Sequence, residues 1–202
     1  MSLPTMTDTN ALRRALRARR LTVRPAEQRR ARSRLVARVL RLAPFRSARR
    51  VAVYVGVRGE LDASVVAMAA RGRRKSYYLP VLDPLRQGVL RFHRWRPGER
   101  MRRNRFGIPE PVQRKRRQLP AQRLDLVLMP LVGFDVDCNR LGMGGGFYDR
   151  TFAFARSRGS SARPYLLGIA FEFQRVEHLQ PQPWDVPLDA VVTEHALYRR
   201  RR

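Results

Sequence analysis

Apolar residues recur along this chain in two rhythms, one helical and one strand-like. Ala31, Leu35, Val36, Val39, Leu40 and Leu42 return mostly three and four residues apart, which predicts an amphipathic helix with one buried face. Pro25 suits its first turn, Glu27 its positive end, and Pro44 closes it. A second helical pattern covers 11–20, where Arg13 and Arg17 share a face and Leu12 and Leu16 lie on a neighbouring one. A third covers 63–71, with Asp62 as its cap and Gly72 as its stop. The other rhythm is the short continuous apolar run. Stretches 51–55, 76–82, 124–129, 165–171 and 190–193 have this character, expected of strands buried on both faces. Residues 89–95 alternate apolar and polar and read as a strand with one wet face. Strands alternating with helices predict an α/β fold: a single-domain, three-layer sandwich over 1–202 with a mostly parallel sheet and helices on both faces. Residues 97–120, rich in Arg, Pro and Gly, read as a long irregular segment that is functional or mobile. Residues 1–8 and 199–202 are expected to be disordered.

Composition narrows this little. A chain of 202 residues with 44% hydrophobic content builds one substantial core and argues against wholesale disorder. It has no apolar run long enough for a bilayer and no secretory pattern at its start. Cys138 is the one cysteine and forms no internal disulfide, which fits a reducing cytoplasm. The formal net charge of +27 points towards phosphate-bearing partners. Nearly all of it is arginine, with Lys75 and Lys115 the only lysines. The arginines are spread along the chain without a recognisable nucleic-acid module, so a substrate-attracting surface is the better reading. A basic nucleic-acid-binding protein remains the rival.

The candidate chemistry lies between Arg140 and Arg150. Four of the five residues from Gly142 to Gly146 are glycine, and Phe147, Tyr148 and Asp149 lead into a helical pattern. A bare glycine backbone opening onto a helix start can hold an anion, and flanking arginines can fork onto phosphate. A plain surface loop has the same look. No Lys-Ser/Thr follows the run, and phenylalanine takes the sixth place of a dinucleotide fingerprint, so neither common phosphate motif fits. An aspartate beside an anion is awkward unless a hard cation such as Mg²⁺ bridges them, with Asp185 as a second carboxylate. Alternatively Asp149 merely favours the helix start. Glu60 follows a strand and two glycines, where α/β sheets collect ligands. His93, His178 and His195 lack partners in the pattern, and Cys138 reads as incidental.

Taken together, these stretches resemble the 5-formyltetrahydrofolate cyclo-ligase family, also called 5,10-methenyltetrahydrofolate synthetase. The resemblance runs from about Arg13 to Thr193. It is carried by Arg13-x-x-Leu16-Arg17, Gly59-Glu60-Leu61-Asp62, Gly107 to Pro111, Arg140 to Arg150, Gln174 and Trp184 to Pro187. It implies ATP- and Mg²⁺-dependent cyclisation of 5-formyltetrahydrofolate to 5,10-methenyltetrahydrofolate through a phosphorylated formyl group, in a cytoplasmic monomer with no membrane or specific nucleic-acid partner. Arg13, Arg17, Arg140, Leu141, Gly142, Met143, Gly144, Gly145, Gly146, Phe147 and Tyr148 would hold ATP. Val55, Glu60 and Met143 to Phe147 would hold the folate, with Phe92 and Trp95 as further walls. Arg140 and Tyr148 would be catalytic, and Asp149 and Asp185 would hold Mg²⁺. Two departures stand out: Arg13 replaces a common lysine, and Cys138 replaces a common glycine.

Overall fold

The apolar runs become strands of one sheet, most of them somewhat shorter than the pattern. The structure, a computed structural model, describes residues 8–70, 74–112, 117–156 and 164–201. The N-terminal part is helical: α1 (Thr9–Leu21), α2 (Pro25–Arg41) and α3 (Ala43–Ser47). Asp8, expected to fray, accepts the Asn10 amide at 2.8 Å and caps α1. Then come β1 (Arg50–Ala52), α4 (Ser64–Ala69), β2 (Ser76–Leu82) and β3 (Leu90–Trp95). Asp62 accepts the Ser64 amide at 2.8 Å at the start of α4, and Gly72 lies outside the described residues.

The segment expected to be irregular holds a small hairpin, β4 (Met101–Arg103) and β5 (Pro109–Pro111), and then β6 (Gln118–Leu119). After it follow β7 (Leu126–Pro130), β8 (Gly133–Phe134), β9 (Arg140–Leu141) and α5 (Phe147–Thr151). The chain ends with β10 (Tyr165–Ile169), β11 (Ala190–Val192) and β12 (Leu197–Arg199). β12 has no clear signal in the sequence. It extends order into the basic tail, where the Arg200 amide donates to the Asp189 carbonyl at 3.2 Å.

The main sheet has the order β12-β11-β10-β7-β1-β2-β3-β6. Strands β11, β10, β7, β1 and β2 are mutually parallel, β12 and β3 run antiparallel to them at the two sides, and β6 pairs antiparallel to β3. Alternation along β7 feeds two cores. Leu126 and Leu128 join Leu35 and Val39 of α2 and Val66 of α4 on one face; Val127 and Met129 join Phe134, Phe152 and Ala155 on the other. Helices therefore flank both faces unequally, because the second is covered by the five-residue α5, a 3₁₀ turn at Ala153–Ala155 and loops. A third cluster seats α1: Leu12 and Leu16 pack with Val132, Leu141, Val176 and Leu179 beyond the end of β7. Among the described residues, no helix is long and apolar enough to cross a membrane.

One buried ion pair ties the opposite end of the sheet. Asp125 takes the amides of Arg49 and Arg50 at 2.9 and 2.8 Å and the Arg50 guanidinium at 2.9 Å. These partners hold its carboxyl well below the usual carboxylate range despite burial. Such a group stabilises the fold above its unfolded value, and that contribution is lost as pH falls through the depressed folded value. Asp125→Ala should cost about 3 kcal/mol at neutral pH, shrinking below about pH 4. Urea unfolding of both proteins across this range checks it.

Candidate active site

β1 continues to β2 on one side and β7 to β10 on the other, so the chain diverges between β1 and β7. Ligands of open α/β sheets bind at the C-terminal ends of strands at such a divergence. A cleft of about 1640 Å³ opens there, lined by the turn after β1, the start of α1, the loop from β9 into α5, the β4–β5 hairpin and the 179–187 loop.

The glycine loop forms one wall. Gly144 and Gly146 have φ of 94° and 62°, a region that side chains disfavour. A Cβ on Gly145 would lie 2.9 Å from the Phe147 ring. The loop is pinned from two sides. Arg13 Nε donates to the Gly142 carbonyl at 2.9 Å. Arg150 donates to the Gly145 carbonyl, and to the Gly88 carbonyl at 3.0 Å. With the carbonyls engaged, the amides of Gly144, Gly145 and Gly146 donate to no acceptor among the described residues. α5 is a single short turn, so the positive field here comes chiefly from arginines and loop amides rather than a helix dipole.

Behind the loop sits a buried charge pair. Arg140, with 5% of its side chain exposed, donates to Asp149 Oδ1 at 2.6 Å and lies 5.7 Å from the Tyr148 ring centroid. Its Nε has no acceptor among the described residues. Asp149 Oδ1 also accepts the Val186 amide at 3.2 Å, which brings the Asp185 segment alongside α5. Asp185 Oδ2 accepts the Gln182 amide at 2.8 Å. Both carboxylates line the cleft, and each keeps one oxygen outside these bonds.

The facing wall is aromatic and acidic. Tyr54, Val55 and Glu60 come from the strand end and the turn that follows β1. Burial pushes the Tyr54 and Tyr148 hydroxyls well up, with Glu60 adding to both. At neutral pH they are hydrogen donors rather than bases. Burial also raises Glu60, an effect opposed by the Arg20 guanidinium 3.4 Å away. Phe106, from the hairpin, packs edge-on to Phe147 at 5.9 Å and so links that hairpin to the glycine loop. Trp184, 61% exposed, completes the rim.

The cleft therefore brings together Arg13, Val55, Glu60, Asp149, Asp185 and the stretch from Arg140 to Tyr148. Three expected residues fall elsewhere. Arg17 is half-buried one turn further along α1 and does not line the cleft. Phe92 is in the second core against Phe152, at 5.8 Å, and Trp95 is in the first. Phe106, Tyr148 and Trp184 supply the aromatic surface instead. The sequence reading missed Arg20. Its signal was a spacing of four from Leu16, which puts it on the buried stripe of α1.

The model of the 5-formyltetrahydrofolate cyclo-ligase family matches residues 5–194. The chain belongs to this family. It is 37% identical to the 5-formyltetrahydrofolate cyclo-ligase of Haemophilus influenzae, over 88% of this chain and 92% of that protein. The Escherichia coli protein of the same name is 38% identical over 88% of this chain and 96% of its own. The Aquifex aeolicus 5,10-methenyltetrahydrofolate synthetase superposes with a TM-score of 0.79 at 27% identity, covering 96% of this chain and 93% of that one. A Mycoplasma pneumoniae synthetase, 24% identical, shares the fold with a TM-score of 0.71. The protein is accordingly an enzyme, a ligase of folate metabolism. Cys138 has φ of 65°, a backbone region that favours glycine. Its thiol is fully buried and pushed up to about 12 by desolvation, so it is no nucleophile at neutral pH.

Proposed function

We propose that this cleft holds ATP and 5-formyltetrahydrofolate together and closes the folate ring at the expense of ATP. The observation that carries this reading is the glycine loop, pinned by Arg13 and Arg150, its amides without an acceptor among the described residues, in the same cleft as Glu60. The triphosphate lies along Leu141 to Phe147, where loop amides and Arg140 meet developing phosphate charge. The Arg140 Nε–H, without an acceptor among the described residues, is a further donor for that charge. Val55 and Glu60 hold the folate, Glu60 accepting from ring N–H groups. The formyl oxygen attacks the γ-phosphorus and ADP leaves. The neighbouring folate nitrogen then attacks the formyl carbon, its proton is lost, and the C–O bond breaks with phosphate as leaving group. This chemistry needs alignment and charge neutralisation rather than a protein nucleophile. Tyr148, protonated at neutral pH, donates to oxygen near the reacting phosphate.

The donor set suits Mg²⁺, which takes one or two carboxylates and fills its shell with water and phosphate oxygens. Asp149 and Asp185 would hold the ion, and it would supply neutralisation of phosphate charge. We propose that the enzyme works as a cytoplasmic monomer. The diffuse basic surface serves anion attraction rather than nucleic-acid recognition.

The test is isotopic. With ¹⁸O in the formyl group, the label should appear in inorganic phosphate, because that oxygen becomes the bridging atom. Label released to water or formate would contradict the mechanism. The two N-terminal arginines should also separate. Arg13→Ala should raise the KM for ATP about tenfold, the worth of one charge-assisted contact plus its hold on the loop. Arg17→Ala, outside the cleft, should change it less than about threefold. Steady-state kinetics on both variants checks this.

A further inference from the structure

Arg20 is a fully buried charged side chain near the cleft, and no step above uses it. Its side chain is 1% exposed at the last turn of α1. Nη1 lies 3.4 Å from Glu60 Oε1, and Nε donates to the Arg58 carbonyl at 3.1 Å. Nη2 has no acceptor among the described residues. The contact extends to the backbone, since a Cβ on Gly59 would meet the Arg20 carbonyl at 2.9 Å. The turn it grips is an unusual one: Arg58 and Gly59 both have positive φ, 51° and 78°. Glu60 Oε2 in turn accepts the Val57 amide at 3.2 Å.

We propose that Arg20 is a positioning residue for folate recognition: it fixes the 57–60 turn and holds Glu60 as an ionised acceptor at the wall of the cleft. This rests on the reading of Glu60 as the folate acceptor. The physical case has two parts. Two buried charges are costly to desolvate, and an apolar pair of similar volume often serves the fold as well. A pair kept where one partner lines a ligand cleft is therefore explained by the carboxylate it maintains there. Arginine rather than lysine fits because one planar group reaches both a carboxylate and a backbone carbonyl.

The groups facing Glu60 are Arg20, Arg58, Asp62, Tyr54 and Tyr148. Burial keeps both tyrosines protonated around neutrality, so they do not compete with Glu60 as acceptors. Removing Arg20 takes away the largest effect opposing burial and leaves only the Val57 amide and Arg58 against it, so Glu60 takes up its proton at higher pH.

The experiment compares Arg20→Met, Arg20→Lys, Glu60→Gln and the Arg20→Met/Glu60→Gln double variant. Arg20→Met should raise the KM for 5-formyltetrahydrofolate about tenfold near pH 7, leave the KM for ATP within about threefold, and move the acid limb of kcat/KM for the folate up by about one pH unit. Arg20→Lys should recover most of this, leaving about a threefold rise from the lost grip on Arg58. The double variant should be no worse than Glu60→Gln alone. If Glu60→Gln is impaired while Arg20→Met keeps a normal folate KM and acid limb, the proposal is overturned and the role of Glu60 stands. If Glu60→Gln itself has a normal folate KM, the underlying reading fails. Equal rises in both KM values also overturn it, as they indicate general loosening. Should Arg20→Met not fold, Arg20→Lys decides, and an unchanged folate KM there overturns the proposal.

Discussion

Arg140→Met is expected to lower turnover about a thousandfold, the largest single effect in the cleft. Arg140 is nearly buried, paired to Asp149 at 2.6 Å, and set against Tyr148. Methionine fills similar space but leaves Asp149 without its cation, which should also cost about 3 kcal/mol of stability. The two effects are separable, because ADP, phosphate and Mg²⁺ can restore melting temperature without restoring turnover. Arg140→Lys keeps the charge but not the fork and should fall between, with a loss of about ten- to a hundredfold. Single-turnover kinetics beside thermal melts would show the pattern. Normal turnover in Arg140→Met would remove Arg140 from the chemistry.

Gly144→Val should be the next most damaging change, lowering kcat/KM for ATP about a hundredfold. The reason is backbone shape rather than space. Gly144 has φ of 94°, yet an added Cβ there would meet nothing within 4 Å. A β-branched residue at this angle costs about 1–3 kcal/mol unless the loop moves. A loop displaced by even about 1 Å loses its alignment with the phosphates. Gly145→Ala tests the other cause, since its Cβ would strike the Phe147 ring at 2.9 Å without a positive φ to strain. The prediction is that Gly144→Val hurts ATP use far more than it hurts melting temperature, as measured by steady-state kinetics and calorimetry.

Much of this was legible because local rules govern it. The buried strands announce themselves as apolar runs, and each of the five runs overlaps a strand of the parallel block. The glycine loop is legible because its composition answers backbone demands at Gly144 and Gly146. Other features depend on tertiary packing. Arg13, Arg17 and Arg20 lie on one basic helix, and nothing local says which of them meets the loop, which meets Glu60 and which meets neither. Trp95 and Phe92 lie in an alternating strand, but alternation does not say which layer covers each face. Phe106 reaches the loop only because the β4–β5 hairpin folds over it, within a segment that reads as irregular. The short β12 carries too few apolar residues to stand out and gains its register by pairing with β11.

The central claim is that this cleft closes the folate ring using ATP, and one absorbance trace tests it most directly. Purified protein mixed with 5-formyltetrahydrofolate, ATP and Mg²⁺ should build the methenyl chromophore, with one ADP and one phosphate released per ring closed. Omitting ATP should abolish the rise, and replacing Asp149 by asparagine should slow it while the protein stays folded. A folded wild-type protein that builds no chromophore, or builds it without ATP, would contradict the account.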